Sequence, residues 1–293
     1  MGVDLVFEDQ LLEGHEEQIR SNAPMARFSS LPCLNRLLGG VYPGLVTVIG
    51  AQPACGKTTL LGQMADDLAR QGTPSIVVSA ELPAFRVVEK SLVRCSNGAF
   101  SLSDVTRVAN RDDGAYAAAK EEYALAIAPD VCVIDSPVTI PDLARVVGDC
   151  VHLRGRAPAV FVDYLQLIAT SGVDASGDER IAILNCVRAL GDLARTYAAP
   201  LYLLSSIART SYDKLDVGLD VFGGSQGIEY GIDNALYLTV EGDTKAERQA
   251  NLELALRPVR LRALKVRYGR VGSASLRFDA AHATFWEADR AHA

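Results

Sequence analysis

The chain has 293 residues, 49% hydrophobic and 22% charged, and its 29 basic and 36 acidic side chains give a formal net charge of −7. This suits a soluble α/β protein large enough to bury a full core. It excludes nucleic-acid binding through bulk charge, so any such contact must come from local basic surfaces. The six cysteines, Cys33, Cys55, Cys95, Cys132, Cys150 and Cys186, show no C-x-x-C spacing, and there are only four histidines. That pattern argues against a structural zinc site or a disulfide framework and for free thiols in a reducing cytosol.

Residues 1–27 carry Asp4, Glu8, Asp9, Glu13, Glu16 and Glu17 and read as an acidic arm or linker helix. So acidic a start is not a secretory or mitochondrial signal. No apolar stretch approaches membrane-spanning length, and a cytoplasmic protein is expected. The main domain is expected over residues 28–293. Turn signals at Gly39-Gly40 and Pro43-Gly44 precede an apolar strand, Leu45–Ile49. A glycine-containing loop, Gly50–Thr59, then opens an amphipathic helix with Leu60, Leu61, Met64, Ala65, Leu68 and Ala69 on one face.

Strands and helices alternate from there. Strands are expected at Ser75–Ser79, Val131–Asp135, Ala159–Asp163 and Leu201–Ser205. Helices are expected from Pro83 (the proline in its first turn), over Ser101–Asn110 and Ala115–Ala126, from Ile140 to Leu153 behind a Thr139 cap, and over Glu179–Tyr197. This alternation implies a mostly parallel sheet with helices on both faces. After Asp233 the pattern changes. Ala235–Val240, Val259–Tyr268, Ser275–Phe278 and Thr284–Trp286 read as strands with few helices between, expected as antiparallel strands at the sheet edge.

The loop Gly50–Thr59 has the strand–loop–helix context of a phosphate-binding loop. The loop of Ala51, Gln52, Pro53, Ala54, Cys55, Gly56 and on to Thr59 would cradle phosphates with the backbone N–H groups of its non-proline residues, assisted by the positive end of the helix dipole. Lys57 would reach the β- and γ-phosphates of ATP, and the Thr58 hydroxyl would bind Mg2+. The strict motif fails at one place: Ala51 stands where its first glycine belongs. Cys55, inside the loop, is either a reagent-sensitive thiol or simply fills space. An acidic residue at a buried strand end should orient the metal's water shell. Asp163 is favoured over Asp135 because its strand is longer; a strand-end cap is the plain alternative for either. Glu81, directly after Ser75–Ser79, is the candidate to polarise the attacking water, against the plain reading of a glutamate complementing a helix dipole.

Four segments, Gly50–Thr59, Ser79-Ala80-Glu81-Leu82, Asp163-Tyr164-Leu165-Gln166-Leu167 and Gly227-Ile228-Glu229-Tyr230, together resemble the motor domain of bacterial and phage replicative helicases, the DnaB-like group. Leu37-Leu38-Gly39-Gly40 with Pro43-Gly44 matches the family's approach to the phosphate loop. The resemblance runs from about Phe28 to Ala288. It implies a RecA-like P-loop ATPase, a homo-oligomer built as a hexameric ring, ATP-driven movement on single-stranded DNA in replication, and a primase or loader protein as a further partner. It also places a basic pair on a late strand that reaches the neighbouring subunit's ATP, here Lys265 and Arg267. Two-residue spacing would put both on one face of a strand. Arg257–Arg277 holds seven basic residues and no acidic one; a solvated basic strand is the plain reading of that run. The resemblance assigns DNA contacts to two pore loops, here Ala169–Gly177 and Arg209–Gly224. Two departures stand out. Ser206 occupies the place of the family's γ-phosphate-sensing glutamine, and no collar domain precedes the motor in this sequence. Two other readings stay open: a RecA-family recombination or regulatory ATPase that binds DNA without unwinding it, and a nucleotide-binding loader or assembly subunit with negligible turnover.

Overall fold

The computed structural model describes residues 23–111, 114–165, 179–207, 217–222 and 231–288. The acidic arm up to residue 22, both pore-loop segments apart from 217–222, and the motif residues Gln166-Leu167 and Gly227–Tyr230 therefore lie outside the described residues.

The elements in chain order are α1 (Pro32–Leu38), β1 (Val46–Ala51), α2 (Lys57–Ala69), β2 (Ser75–Ser79), α3 (Ala84–Cys95), α4 (Val105–Asn110), α5 (Gly114–Ala126), β3 (Val131–Ile134), α6 (Ile140–Arg154), β4 (Ala159–Asp163), α7 (Glu179–Tyr197), β5 (Leu201–Ser205), β6 (Asn234–Val240), α8 (Lys245–Glu253), β7 (Leu256–Lys265), β8 (Gly272–Asp279) and β9 (Thr284–Glu287). The strands form one nine-stranded sheet in the order β3-β2-β4-β5-β1-β6-β7-β8-β9. Strands β1 to β5 pair in parallel, each buried along its whole length except β3 at the edge. Near-continuous apolar runs are what a parallel sheet covered on both faces requires.

Two expectations need correcting. β6 is not an antiparallel edge strand: it pairs in parallel with β1, near the middle of the sheet. Its run Ala235-Leu236-Tyr237-Leu238 is buried without alternation, as in a central strand. Only β7, β8 and β9 run antiparallel to their neighbours. The strand expected over Val259–Tyr268 ends at Lys265, so Arg267 lies beyond it and does not share a strand face with Lys265. Smaller differences are that Pro83 is the N-cap of α3 rather than part of its first turn, and that α4 starts at Val105. Thr139 caps α6 as expected, in a reciprocal box with Asp142.

One core lies on the face of the sheet covered by α1 and α2, and includes Phe28, Leu60, Met64, Phe161, Tyr202 and Phe285. A second lies on the opposite face under α6 and α7, and includes Leu143, Val147, Val187, Leu190 and Tyr237. Side chains of α3, α4 and α5 close a smaller cluster around Phe100.

A buried ion pair fixes α3 on α2. Arg94 donates from Nε and Nη2 to Asp66 Oδ2 at 2.8 and 2.6 Å, while Ser91 Oγ donates to Asp66 Oδ1 at 3.0 Å. Arg94 Nη1 also reaches the Ala283 carbonyl at 3.1 Å, tying in the turn before β9. Removing one partner strands the other charge in a dry site, which costs far more than the pair's net worth. Arg94→Ala should therefore lower the free energy of unfolding by about 3–5 kcal/mol, measured by urea denaturation. A loss under about 1 kcal/mol would mean that this pair does not hold the two helices together.

Candidate active site

The phosphate loop leaves the carboxyl end of β1 and enters α2 at Lys57. Ala51 is the last residue of β1, almost fully buried. The loop is anchored from behind: Gln52 N–H donates to the Leu238 carbonyl at 3.3 Å, Thr239 Oγ1 donates to Gln52 Oε1 at 2.9 Å, and Arg257 Nη1 donates to the Ala54 carbonyl at 2.8 Å. Gly56 is the N-cap of α2 with φ +86°, and no side chain caps the helix. A Cβ at Gly56 would lie 2.7 Å from the Phe278 ring and 2.8 Å from that of Phe285, so both backbone conformation and space demand glycine. With no side-chain cap and no acid in its first turn, this end of α2 keeps donors and positive potential for an anion.

Cys55 is fully buried and burial pushes its thiol up to about 12. It fills space inside the loop, and burial that disfavours the thiolate, the reactive form, argues against reagent sensitivity.

The register of the sheet brings Asp163 to the loop. β5 adjoins β1 and β4 adjoins β5 in the parallel sheet, so the carboxyl ends of all three share one rim. Thr58 Oγ1 donates to Asp163 Oδ2 at 2.6 Å. Asp163 is 1% exposed, and its Oδ1 has no hydrogen-bond partner. Burial raises its pKa, the bond from Thr58 and the charge on Lys57 lower it, and Glu81 raises it. A buried carboxylate oxygen left without a donor beside a threonine hydroxyl is a set of hard oxygen ligands that fits Mg2+. Asp135, the rival, is placed differently: its Oδ2 accepts the Ala84 N–H at 2.8 Å and so caps the start of α3.

Glu81 follows β2, and its Oε2 lies 3.8 Å from Lys57 Nζ. Half of the Glu81 side chain is exposed. Ser79 Oγ donates to the Leu82 carbonyl at 2.7 Å, and Ala80 N–H donates to the Asp163 carbonyl at 2.9 Å, so the Glu81 turn is pinned to β4. Lys57 Nζ also stands 5.0 Å from the centre of the Tyr164 ring, a cation–π contact that orients the ammonium.

Sequence reasoning missed two members of this neighbourhood. Lys90 and Arg94 line the crevice shared by Thr58, Ser79 and Asp163. Burial lowers the Lys90 pKa, Arg94 lowers it further, and Asp163 and Glu81 raise it. Their signal was the spacing Val87, Lys90, Ser91, Arg94 on one face of α3.

Lys265 and Arg267 are not brought to this loop. Lys265 Nζ donates to the Ile232 carbonyl at 2.8 Å, and Arg267 Nη1 donates to Asp233 Oδ1 at 2.8 Å. The hydrogen bond and charge of Asp233 raise the Arg267 pKa. Asp233 Oδ2 accepts the N–H of Val46, the first residue of β1. Five residue steps of β1, roughly 16 Å, separate that end from the phosphate loop. The basic pair sits at the opposite end of β1, out of reach of its own chain's loop. The segment after β7 is held firmly: Tyr268 packs on Tyr42 with ring centres 4.5 Å apart, and Arg270 N–H donates to the Leu37 carbonyl at 2.9 Å. Gly269 lies against that carbonyl so closely that a Cβ would overlap it.

Residues 28–287 match the model of the DnaB-like helicase C-terminal domain. The chain belongs to this family. A curated relative, the replicative DNA helicase DnaB of Treponema pallidum (strain Nichols), is 29% identical over 267 residues, covering 88% of this chain. The chain spans only 55% of that relative's length. Among solved structures, the ATPase domain of G40P superposes with a TM-score of 0.81 at 19% identity, covering 98% of this chain and 100% of that one. A DnaB-like replicative helicase, described with its interactions with primase, superposes with a TM-score of 0.78 at 20% identity, covering 97% of this chain and 67% of that one. These structural likenesses establish the RecA-like ATPase fold of the DnaB-like domain, with the mostly parallel sheet and antiparallel final strands described above. No helix among its described residues is long and apolar enough to cross a membrane.

Proposed function

We propose that this DnaB-like domain hydrolyses ATP at Lys57, Thr58, Asp163 and Glu81 and works as the motor of a ring-shaped helicase on single-stranded DNA. The observation that carries the reading is the Thr58–Asp163 contact at 2.6 Å with Asp163 Oδ1 left over. Thr58 and Asp163 would hold Mg2+, which when bound supplies charge neutralisation on the β- and γ-phosphates. The N–H groups of Ala54 and of Gly56 to Thr59 bind and orient the phosphates, Lys57 neutralises them, and Glu81 takes the proton of the attacking water as it bonds to the γ-phosphorus and the bond to the β-phosphate oxygen breaks, releasing ADP.

Lys265 and Arg267 serve the nucleotide of the neighbouring copy. Their place at the end of β1 away from the phosphate loop supports that assignment, and so does Asp233, which holds the guanidinium of Arg267 in a fixed direction. The family resemblance supplies the expectation of a hexameric ring, single-stranded DNA as track, and a primase or loader as partner; one solved DnaB-like helicase is described with its interactions with primase. Ser206, exposed just past β5 on the rim that carries Asp163, favours a second reading. A serine there is too short to contact the γ-phosphate directly, and hydrolysis could then be uncoupled from strand separation, as in a regulatory ATPase of the same fold.

A forked DNA duplex separates the two readings. The helicase reading expects strand displacement that requires ATP and a free single-stranded tail. DNA-stimulated ATPase activity with no displaced strand would favour the regulatory one.

A further inference from the structure

At the end of β1 away from the phosphate loop, a cleft of about 400 Å3 is lined by Arg188, Asp192 and Arg195 of α7 together with Asp233, Lys265 and Arg267. The cleft exists because Gly231 lies directly on α7: a Cβ there would stand 2.6 Å from Val187 Cγ1. That approach puts the Ile232-Asp233 segment, which holds Lys265 and Arg267, beside the next residue of the helix, Arg188. Both carboxylates of the cleft are engaged. Asp192 accepts from Arg195 Nη2 at 2.7 Å, and Asp233 accepts from Arg267. Four cations against two carboxylates leave an excess of positive charge, and Arg188 is exposed with no hydrogen-bond or ion-pair partner among the described residues.

We infer that Arg188 is a third cation of this cleft and binds the phosphates of the nucleotide carried by a neighbouring copy. The inference rests on the reading that Lys265 and Arg267 act across the interface. Its task differs from theirs. Arg267 is held by Asp233 and Lys265 by the Ile232 carbonyl, so both are fixed before the nucleotide arrives, as a group that stabilises developing charge must be. Arg188 has no such partner among the described residues and is ordered by the ligand itself. An exposed guanidinium of this kind captures the polyphosphate in the ground state and adds little that is specific to the transition state.

The test compares Arg188→Gln, Arg188→Lys and Arg267→Ala in the full chain, by ATPase kinetics with a single-stranded oligonucleotide and by binding of a fluorescent non-hydrolysable ATP analogue. For Arg188→Gln, KM and the half-saturating analogue concentration should rise about three- to tenfold while kcat stays within about twofold. Arg188→Lys should recover part of the loss, since it keeps the charge without the fork. Light scattering should show the same assembled mass as the parent at saturating nucleotide. Unchanged KM and analogue binding would overturn the role of Arg188. So would a fall in kcat at constant KM, or an assembly that fails even at saturating nucleotide, which would make Arg188 a protein–protein contact. If Arg267→Ala keeps the parent kcat, the underlying reading falls as well; a normal Arg188→Gln beside an inactive Arg267→Ala overturns only the inference about Arg188.

Discussion

Arg267→Ala should bind ATP with nearly the parent affinity and lose about 10^3–10^5-fold in kcat. The expectation follows from where the guanidinium is and how it is held. Arg267 is more than half exposed, yet its Nη1 bonds Asp233 at 2.8 Å and its backbone N–H donates to Asn234 Oδ1 at 3.0 Å. The loop that carries it is clamped by Tyr268 on Tyr42 and by Arg270 on the Leu37 carbonyl. A cation fixed in this way pays no reorganisation cost when charge builds on the γ-phosphate, and so its worth appears in the transition state. The fold does not need the charge: the surrounding aromatic and backbone contacts survive truncation. Circular dichroism and thermal unfolding should match the parent. A kcat within tenfold of the parent, in an assembly of normal mass, would show that Arg267 takes no part in the chemistry.

Glu81→Gln should keep nucleotide binding and lower kcat by about 10^2–10^4-fold. The amide preserves size and shape, but it cannot take a proton. Its turn is pinned by Ser79 Oγ on the Leu82 carbonyl and by Ala80 on the Asp163 carbonyl, and neither bond involves the Glu81 side chain. The ion pair with Lys57 is long and half-exposed, 3.8 Å, and its loss affects stability little. A pre-steady-state measurement should find bound ATP that is not cleaved. Turnover at the parent rate would remove Glu81 from the mechanism and direct attention to another base.

Much of this was legible along the chain because the signals are local. The run Val46–Ala51, the glycine at position 56 and the apolar face of α2 encode strand, left-handed turn and helix within a couple of dozen residues. The choice of Asp163 over Asp135 was also legible, from the longer apolar strand before it, and the register turned that preference into a contact with Thr58. What failed was non-local. β6 reads as one more strand after the pattern changes, and only the pairing of Val48 with Ala235 reveals it as a parallel neighbour of β1. α8 went unseen because Lys245–Glu253 is mostly polar and buries none of its residues; its signal was the Thr244–Glu247 capping box. Lys265 and Arg267 were picked out as a pair on a strand, but the strand stops between them. Their link to Asp233 and the start of β1 depends on a fold-level crossing that no spacing rule anticipates.

The claim at the centre of this account is that one copy's phosphate loop is completed by another copy's basic pair. It is tested most directly by mixing Lys57→Ala chains, which lack a working loop, with Arg267→Ala chains, which lack the cation, and reading ATPase activity against the mixing ratio. Each variant alone should be inactive. Mixed assemblies should regain activity that peaks near equal proportions, because some interfaces then pair an intact loop with an intact arginine. No recovery at any ratio, with mixed assemblies of normal mass confirmed by light scattering, would contradict it.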